Sequence, residues 1–233
     1  MGLLLLQPQL TPLDIRSSFA KAGFSLVYSG IYKPKPILFG LVMRYFLFDP
    51  IQGDFVEKME PAVFRFELKD EEALMELVRK NGRVEEFNFY KRKACENAPR
   101  LTYEILKEKL DRMAKEKGEY KPWLLMLAAH RFLSIIEAKS LGKCYEIFCL
   151  NDLWNCYRLG IDPRRNDPSV FRNIGGYSLI DMIENLGYDM KEINLNNPLD
   201  RLWLIEDIFT KLYRELYSDT EQLNEEIGES GSE

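Results

Sequence analysis

The chain has 233 residues, of which 46% are hydrophobic and 30% are charged, which excludes a disordered chain and allows one large domain or two small ones. Its net charge of −5 arises at the end of the chain, because the last sixteen residues hold six acids and no lysine or arginine. Without that tail the net charge is +1, so the body lacks the strongly basic balance of a dedicated nucleic-acid-binding protein. The acidic tail, 218–233, is predicted to be disordered.

The chain shows no targeting or membrane signal. No run of about 18 apolar residues is free of charges, so no transmembrane helix and no membrane partner are predicted. The apolar start stops at Gln7 and Pro8 and lacks the basic region and cleavage site of a signal peptide. The four cysteines are therefore expected to be reduced thiols in a cytoplasmic protein. Abundant lysine and glutamate beside a single histidine favour a thermophilic source.

The first elements are a strand and a helix. Residues 2–6 form a short apolar run that is typical of a buried strand. Thr11 and Pro12 provide an N-cap and a first turn, and Gly23 provides a stop, which predicts a helix at 12–22.

The rest of the N-terminal half is predicted to alternate strands with one more helix. The predicted strands are 24–32, 37–48, 62–68 and 83–90, and the helix is 71–80, capped by Asp70. Without the strand at 62–68, this order matches the split β-α-β arrangement of ferredoxin-like sheets. The sequence thus predicts an α+β fold that begins with a mixed sheet and two helices.

From residue 101 the apolar residues change to helical spacing, as in Tyr103, Leu106, Leu110 and Met113. Helices are predicted at about 101–113, 122–139, 143–159, 178–186 and 198–217, and a short one begins at Asp167 and Pro168. The C-terminal half is therefore expected to be all helical. The predicted units are a sheet domain at 1–97, a helical domain at 98–217 and the tail.

No catalytic residue, metal ligand or cofactor is predicted. Cys95, Cys144, Cys149 and Cys156 are separated by 48, 4 and 6 residues, unlike the two close pairs of a structural zinc site. They are interpreted as buried thiols, with a metal cluster or redox chemistry as alternatives. His130 is interpreted as a half-buried helix residue, with a general acid or base that shares a face with Glu137 as the alternative. Phosphate-binding glycine loops are absent from the sequence.

Two basic groups could contact a phosphate backbone, with neighbouring aromatic residues to stack bases. Ordinary ion pairing on the surface is the alternative. The first group, around 83–100, follows the predicted strand 83–90, and the second, around 158–172, surrounds a turn-rich loop. Their members are Arg83, Lys91, Arg92, Lys93 and Arg100 in the first group, and Arg158, Arg164, Arg165 and Arg172 in the second.

The last predicted helix carries an apolar stripe at 3-4-3-4 spacing. Its members are Leu202, Ile205, Phe209, Leu212 and Leu216. Such a stripe serves either as an interface to a partner or a second copy, or as the core-facing side of the helix.

Three functional hypotheses follow. The first is a non-catalytic interaction or accessory subunit of an intracellular complex, bound to a partner protein or to copies of itself. The second is an RNA- or DNA-binding protein that uses the two basic groups. The third is an enzyme whose dispersed site the sequence does not reveal.

Overall fold

The computed structural model describes residues 20–32, 36–93, 100–116, 121–171 and 178–217. Several predictions lie outside the described residues. They are the strand at 2–6, most of the helix at 12–22, Cys95, Arg172 and the tail.

One mixed sheet, with six strands among the described residues, organises the fold. The strands are β1 (Lys21–Ile31), β2 (Ile37–Asp49), β3 (Asp54–Lys58), β4 (Ala62–Arg65), β5 (Trp123–Met126) and β6 (Glu146–Cys149). Their order is β3-β2-β1-β5-β6, and β4 also pairs with β2. The pairs among the first four strands are antiparallel, whereas β5 runs parallel to β1 and β6 runs parallel to β5.

In the part of the chain that the structure describes, seven α-helices cover the two faces of this sheet. They are α1 (Glu71–Lys80), α2 (Val84–Lys93), α3 (Tyr103–Glu116), α4 (Ala129–Ile135), α5 (Leu150–Leu159), α6 (Leu179–Asn185) and α7 (Pro198–Tyr217). Apolar residues of α1, α2, α5, α6 and α7 share one core cluster, and those of α3 and α4 share the other. Short 3₁₀ helices lie at Lys139–Lys143 and Pro168–Phe171.

Alternation along β1 builds both cores. Phe24 and Leu26 point to the layer of α3 and α4, whereas Val27 and Ile31 point to the layer of α7. Because both faces are covered, the inner strands are apolar on both sides, and all four residues of β5 are buried. The α+β class predicted from the sequence is confirmed.

The prediction of an all-helical C-terminal half is wrong. The segments predicted as helices 122–139 and 143–159 begin with the strands β5 and β6, and only α4 and α5 are helical. A continuous apolar run is compatible with either a buried strand or a buried helix, so periodicity did not separate them. The helices predicted at 71–80, 178–186 and 198–217 are present as α1, α6 and α7, with Asp70 accepting a hydrogen bond from Ala73 N as the N-cap.

The strand predicted at 83–90 is also wrong, because this segment is α2. Four of its residues are buried, and their spacing places them on one side of a helix. They are Glu86, Phe87, Phe89 and Tyr90. Phe87 and Phe89 alternate as in a strand, but Tyr90 and Glu86 complete the helical face. Without this strand the ferredoxin-like order is not formed.

The structure differs from two further predictions. The last two residues of the helix predicted at 12–22 belong to a strand instead, because β1 begins at Lys21. The predicted sheet domain, 1–97, and the predicted helical domain, 98–217, share one sheet, because Gly23 of β1 pairs with Trp123 of β5. A parallel strand brought in by a crossover connection joins the two halves of the chain.

Candidate functional site

The first basic group lies on and around α2, where two of its cations pair with carboxylates. Lys91 Nζ lies 2.6 Å from Glu71 Oε1, and Arg83 Nη1 lies 2.8 Å from Glu86 Oε2. The hydrogen bond from Lys91 lowers the pKa of Glu71, which keeps that carboxylate charged. Arg92 and Arg100 are exposed. The side chain of the remaining member, Lys93, lies outside the part of the chain that the structure describes.

The second basic group lies at the end of α5 and in the loop after it. Arg164 Nε lies 2.9 Å from Asp162 Oδ1, and its hydrogen bond to Asp162 lowers the pKa of that carboxyl. Arg164 Nη1 also donates to the carbonyl oxygen of Tyr217 at 3.3 Å. Arg165 lies 3.5 Å from Asp162 with 84% of its side chain exposed, and Arg158 is exposed on the last turn of α5.

The two basic groups lie at opposite ends of α7. Arg83 shares Glu86 with Arg201 in the first turn of α7, whereas Arg164 contacts Tyr217, the last residue of that helix. A rise of 1.5 Å per residue separates those two ends by about 24 Å. The groups therefore do not form one compact basic patch.

The apolar stripe of α7 belongs to the core. Leu202, Ile205, Phe209 and Leu212 are buried against the sheet, and Leu216 is half-buried. The interpretation of this stripe as an interface is therefore wrong, because the fold of the chain itself covers it. The alternative, core packing, is confirmed, although the layer beneath the helix is a sheet rather than a helical domain.

Two carboxylates are buried between this helical layer and the sheet. Ser25 Oγ donates to Glu206 Oε1 at 2.5 Å, and Ser29 Oγ donates to Glu86 Oε1 at 2.5 Å. Arg44 pairs with Glu206, and Arg201 pairs with Glu86. Each buried charge is thus neutralised by an arginine, as a buried carboxylate requires. In the described residues no group of three or more His, Cys, Asp or Glu side chains is placed to hold a metal ion.

A groove of about 560 Å³ lies along β6, at the edge of the sheet. The strand itself forms the floor. One wall consists of Ala129, His130 and Leu133 from α4, and the other of Asp152 and Leu153 from α5 with Pro163, Asp167, Pro168 and Tyr217. Because α4 and α5 belong to opposite layers, the groove has walls on both faces of the sheet.

The outer edge of β6 faces this groove. β6 ends the strand order, and no described strand pairs with its outer side. Glu146 N donates to the carbonyl oxygen of Pro122 at 3.0 Å, on the side of β5. Because successive residues of a strand direct their backbone groups to opposite edges, the N–H and C=O of Ile147 point away from β5.

The polar side chains of the groove favour binding over nucleophilic chemistry. Cys149 Sγ donates to the carbonyl oxygen of Leu127 at 3.6 Å, and burial raises the pKa of the Cys149 thiol to about 11. The thiol is therefore protonated at neutral pH and is a weak nucleophile. Glu146 Oε2 accepts a hydrogen bond from Trp123 Nε1 at 2.8 Å. His130 is helical, as predicted, but exposed, and Glu137 lies beyond the end of α4 rather than on its face.

This groove is not predicted by the sequence patterns. Ile147 was assigned to a helix, so β6 and its open edge were not predicted. The available signal was the apolar run from Ile147 to Leu150 directly before Asn151 and Asp152, which is compatible with a strand that leads into a helix. The two aspartates of the second wall are Asp152 in α5 and Asp167 in the loop after it, which lie side by side only in the folded chain.

None of the described helices combines the length and the apolar character that crossing a bilayer would require. The sequence matches no family model and no curated protein. Among solved structures, the RNase domain of the yeast Pop2 protein is similar to this chain, with 14% sequence identity and a TM-score of 0.49. The similarity covers 83% of this chain and 77% of that chain. A likeness at this level says nothing about activity.

Proposed function

We propose that the chain is a non-catalytic interaction subunit that binds an extended segment of a partner protein along the outer edge of β6. The observation that carries this proposal is that β6 is the last of the described strands on its side of the sheet and lies in a groove with walls on both faces. In binding by strand addition, backbone hydrogen bonds provide affinity and the adjoining pockets select side chains.

The size and chemistry of the groove suit such a segment. A strand of about four residues, equal in length to β6, would extend over about 13 Å. Leu133 and Leu153 offer apolar contacts from the two walls, one on each face. Asp152 and Asp167 add polar side chains to the second wall.

The state of the buried carboxylates supports a binding role over catalysis. Glu86 and Glu206 accept hydrogen bonds from serines and pair with arginines, so their charges serve to join the helical layer to the sheet. A carboxylate that acts as a general base needs a free path to its substrate. These two carboxylates are held within the core instead.

The thiols of the described cysteines support a cytoplasmic location for this subunit. Cys144, Cys149 and Cys156 are free, which suits a reducing compartment.

The experiment is a display selection of random dodecapeptides against the intact chain. Each selected peptide is then synthesised in two N-methylated forms, with the methyl groups on alternate residues in one register or the other. Only one register removes the N–H groups that face β6, so we expect one form to lose binding and the other, the matched control, to keep it.

A protein variant provides the complementary test. Ile147→Pro removes the outward N–H of β6 and should abolish binding of the selected peptides. The proposal is wrong if both N-methylated forms bind as well as the parent peptide, or if every selected peptide still binds the Ile147→Pro variant.

Nucleic-acid binding remains a second candidate because of one observation, the exposure of the second basic group. Arg165 exposes 84% of its side chain, and Tyr157 nearby is an exposed aromatic residue on the same end of α5. Cations with an aromatic platform suit single-stranded nucleic acid. The test is a salt titration of oligonucleotide binding by the wild type and by a variant with Arg158, Arg164 and Arg165 replaced by alanine.

For this second candidate, each lost phosphate contact should lower the slope of log K against log salt by about one. Replacing Lys91, Arg92 and Lys93 by alanine is the matched control, with the same change in charge at the other end of α7. Absence of oligonucleotide binding at low salt eliminates the candidate. Equal effects of the two triple variants would indicate non-specific attraction.

A further inference from the structure

We propose that Tyr32 and three surrounding arginines form a surface site for a phosphate group, either as the free ion or as an ester of a small molecule. The arginines are Arg83, Arg131 and Arg201, and the four residues together are called the Tyr32 site. None of the four lines the groove along β6, so the site is independent of the proposed function.

The Tyr32 site lies at the carboxyl end of β1, where residues of the two helical layers come together. Tyr32 directly follows the last residue of β1, and the parallel strand β5 leads into α4 at the same end of the sheet. Arg131 lies in the first turn of α4, in one layer, whereas Arg83 directly precedes α2, in the other layer. Sheets with helices on both faces commonly bind their ligands outside the carboxyl ends of parallel strands.

Two guanidinium groups lie beside the ring of Tyr32. Cζ of Arg131 is 5.4 Å from the centre of the ring, and Cζ of Arg83 is 5.9 Å from it. The ring attracts each cation but does not neutralise its charge. Because the two like charges also repel each other, an anion bound beside both would stabilise the arrangement.

The charges of the Tyr32 site are not balanced within the described part of the chain. Glu86 is the only described carboxylate that pairs with these arginines, through Arg83 at 2.8 Å and through Arg201. Arg131 is exposed and forms no ion pair with another described residue. Three positive charges against one negative charge leave two unbalanced, which suits a phosphate monoester with a charge of about −2 at neutral pH.

The Tyr32 site also contains hydrogen-bond donors that the protein does not use. Within the described residues, neither the hydroxyl of Tyr32 nor Nε of Arg201 has a hydrogen-bond partner. Burial raises the pKa of Tyr32, so its hydroxyl keeps the proton at neutral pH and can donate it to an anion.

The same hydroxyl lies within the field of all three guanidinium groups. The charges of Arg83, Arg201 and Arg131 each oppose the rise in the pKa of Tyr32 that burial causes. A phosphate bound at the hydroxyl would therefore be attracted by three cations at once. Arginine is well suited to this role, because its planar group donates two parallel hydrogen bonds to phosphate oxygens.

The test is isothermal calorimetry of phenyl phosphate binding to the full chain, at an ionic strength held constant with sodium chloride. We expect saturable binding at one site, and an affinity about tenfold lower or less in Arg131→Gln, because this variant loses a charged donor to the phosphate. Arg112→Gln removes another exposed arginine, on α3, and is the matched control that should bind as the wild type does. Tyr32→Phe removes only the hydroxyl and should weaken binding without lowering the melting temperature of the free chain.

Two further ligands identify the group that binds. Phenyl sulfate has the same ring but a single negative charge, so it should bind more weakly than phenyl phosphate. Inorganic phosphate separates the two sources of the group. Tighter binding of phenyl phosphate would assign the site to a phosphate ester, and tighter binding of inorganic phosphate would assign it to the free ion.

The proposal is overturned if Arg131→Gln binds phenyl phosphate as tightly as Arg112→Gln does, because binding would then occur elsewhere. Equal affinities for phenyl phosphate and phenyl sulfate would also overturn it, since two unbalanced charges should favour the dianion. Absence of saturable binding would mean that the arginines only hold the two helical layers around the end of β1. The proposed function is unaffected by all three results, because its own test uses selected peptides and the Ile147→Pro variant.

Discussion

Arg44 of β2 and Glu206 of α7 form an ion pair inside the core, with Nη1 and Oε2 2.7 Å apart. Glu206 has no exposed surface, and its other oxygen accepts the hydroxyl of Ser25. Lys58 Nζ lies 3.6 Å from the same carboxylate. The longest helix is thereby joined to the centre of the sheet at a point that excludes water, where an unpaired charge is costly.

Replacing Arg44 by methionine should destabilise the protein by about 3–5 kcal/mol, because the Glu206 carboxylate stays buried without its closest cation. The double variant with Glu206→Leu should lose less, since both charges are then removed. Urea unfolding followed by circular dichroism measures both effects. Arg112→Met, which breaks an exposed pair with Glu108, is the control and should cost less than about 1 kcal/mol. Equal losses in the single and double variants would contradict the argument.

Gly40 lies beneath the ring of Tyr90, where a β-carbon would approach within 2.4 Å of ring atoms. Gly40→Ala should therefore destabilise the protein by about 1–3 kcal/mol, because Tyr90 must move from its hydrogen bond with Ser29. The matched control is Gly142→Ala, whose nearest contact would be Ile147 Cδ1 at 3.7 Å. Thermal unfolding compares the two variants. A melting temperature equal for both would show that Tyr90 does not require the glycine.

Long periodic segments could be predicted from the sequence, and short buried ones could not. α7 and α1 have helical spacing and recognisable caps, and β2 is a long β-rich run, so all three were predicted. β5 and β6 have four residues each and are followed by helices within two residues, so their apolar runs merged with helical patterns.

The groove was beyond prediction for a related reason. Its floor depends on β6 being the last strand among the described residues, which is a property of the strand order and not of the four residues themselves. Asp152 and Pro163 line one wall together only because the loop that follows α5 folds back over that edge. The sequence shows where the basic residues are, but it does not show which carboxylates they pair with. The fold brings Glu71 to Lys91 and Asp162 to Arg164.

The thiol of Cys149 should make stability fall at alkaline pH. Its pKa is raised to about 11 in the folded chain by burial and then by the charge of Asp152. An unfolded cysteine titrates near 8.5. Below that pH the thiol is protonated in both states. Between about pH 8.5 and 11 only the unfolded state loses the proton, so stability should decline by up to roughly 3 kcal/mol.

Urea unfolding of the wild type and of Cys149→Ala from pH 7 to pH 11 isolates this effect. Burial also raises the pKa of Tyr28 and Tyr90 in the folded chain, but these tyrosines contribute equally to both proteins. We expect the difference in unfolding free energy between the two proteins to decrease as the pH rises. A constant difference would mean that Cys149 titrates normally in the folded chain.

Leu212→Asp should unfold the protein rather than dissociate a complex. Leu212 has no exposed surface and belongs to the core cluster between α7 and the sheet, so an aspartate there would be buried without a cation. Such a substitution typically costs more than about 3 kcal/mol. Lys211→Asp, one residue earlier on the exposed side of α7, is the matched control and should leave the fold intact. Circular dichroism with light scattering distinguishes the outcomes. A folded Leu212→Asp variant with a smaller particle mass than the wild type would restore the stripe as an interface.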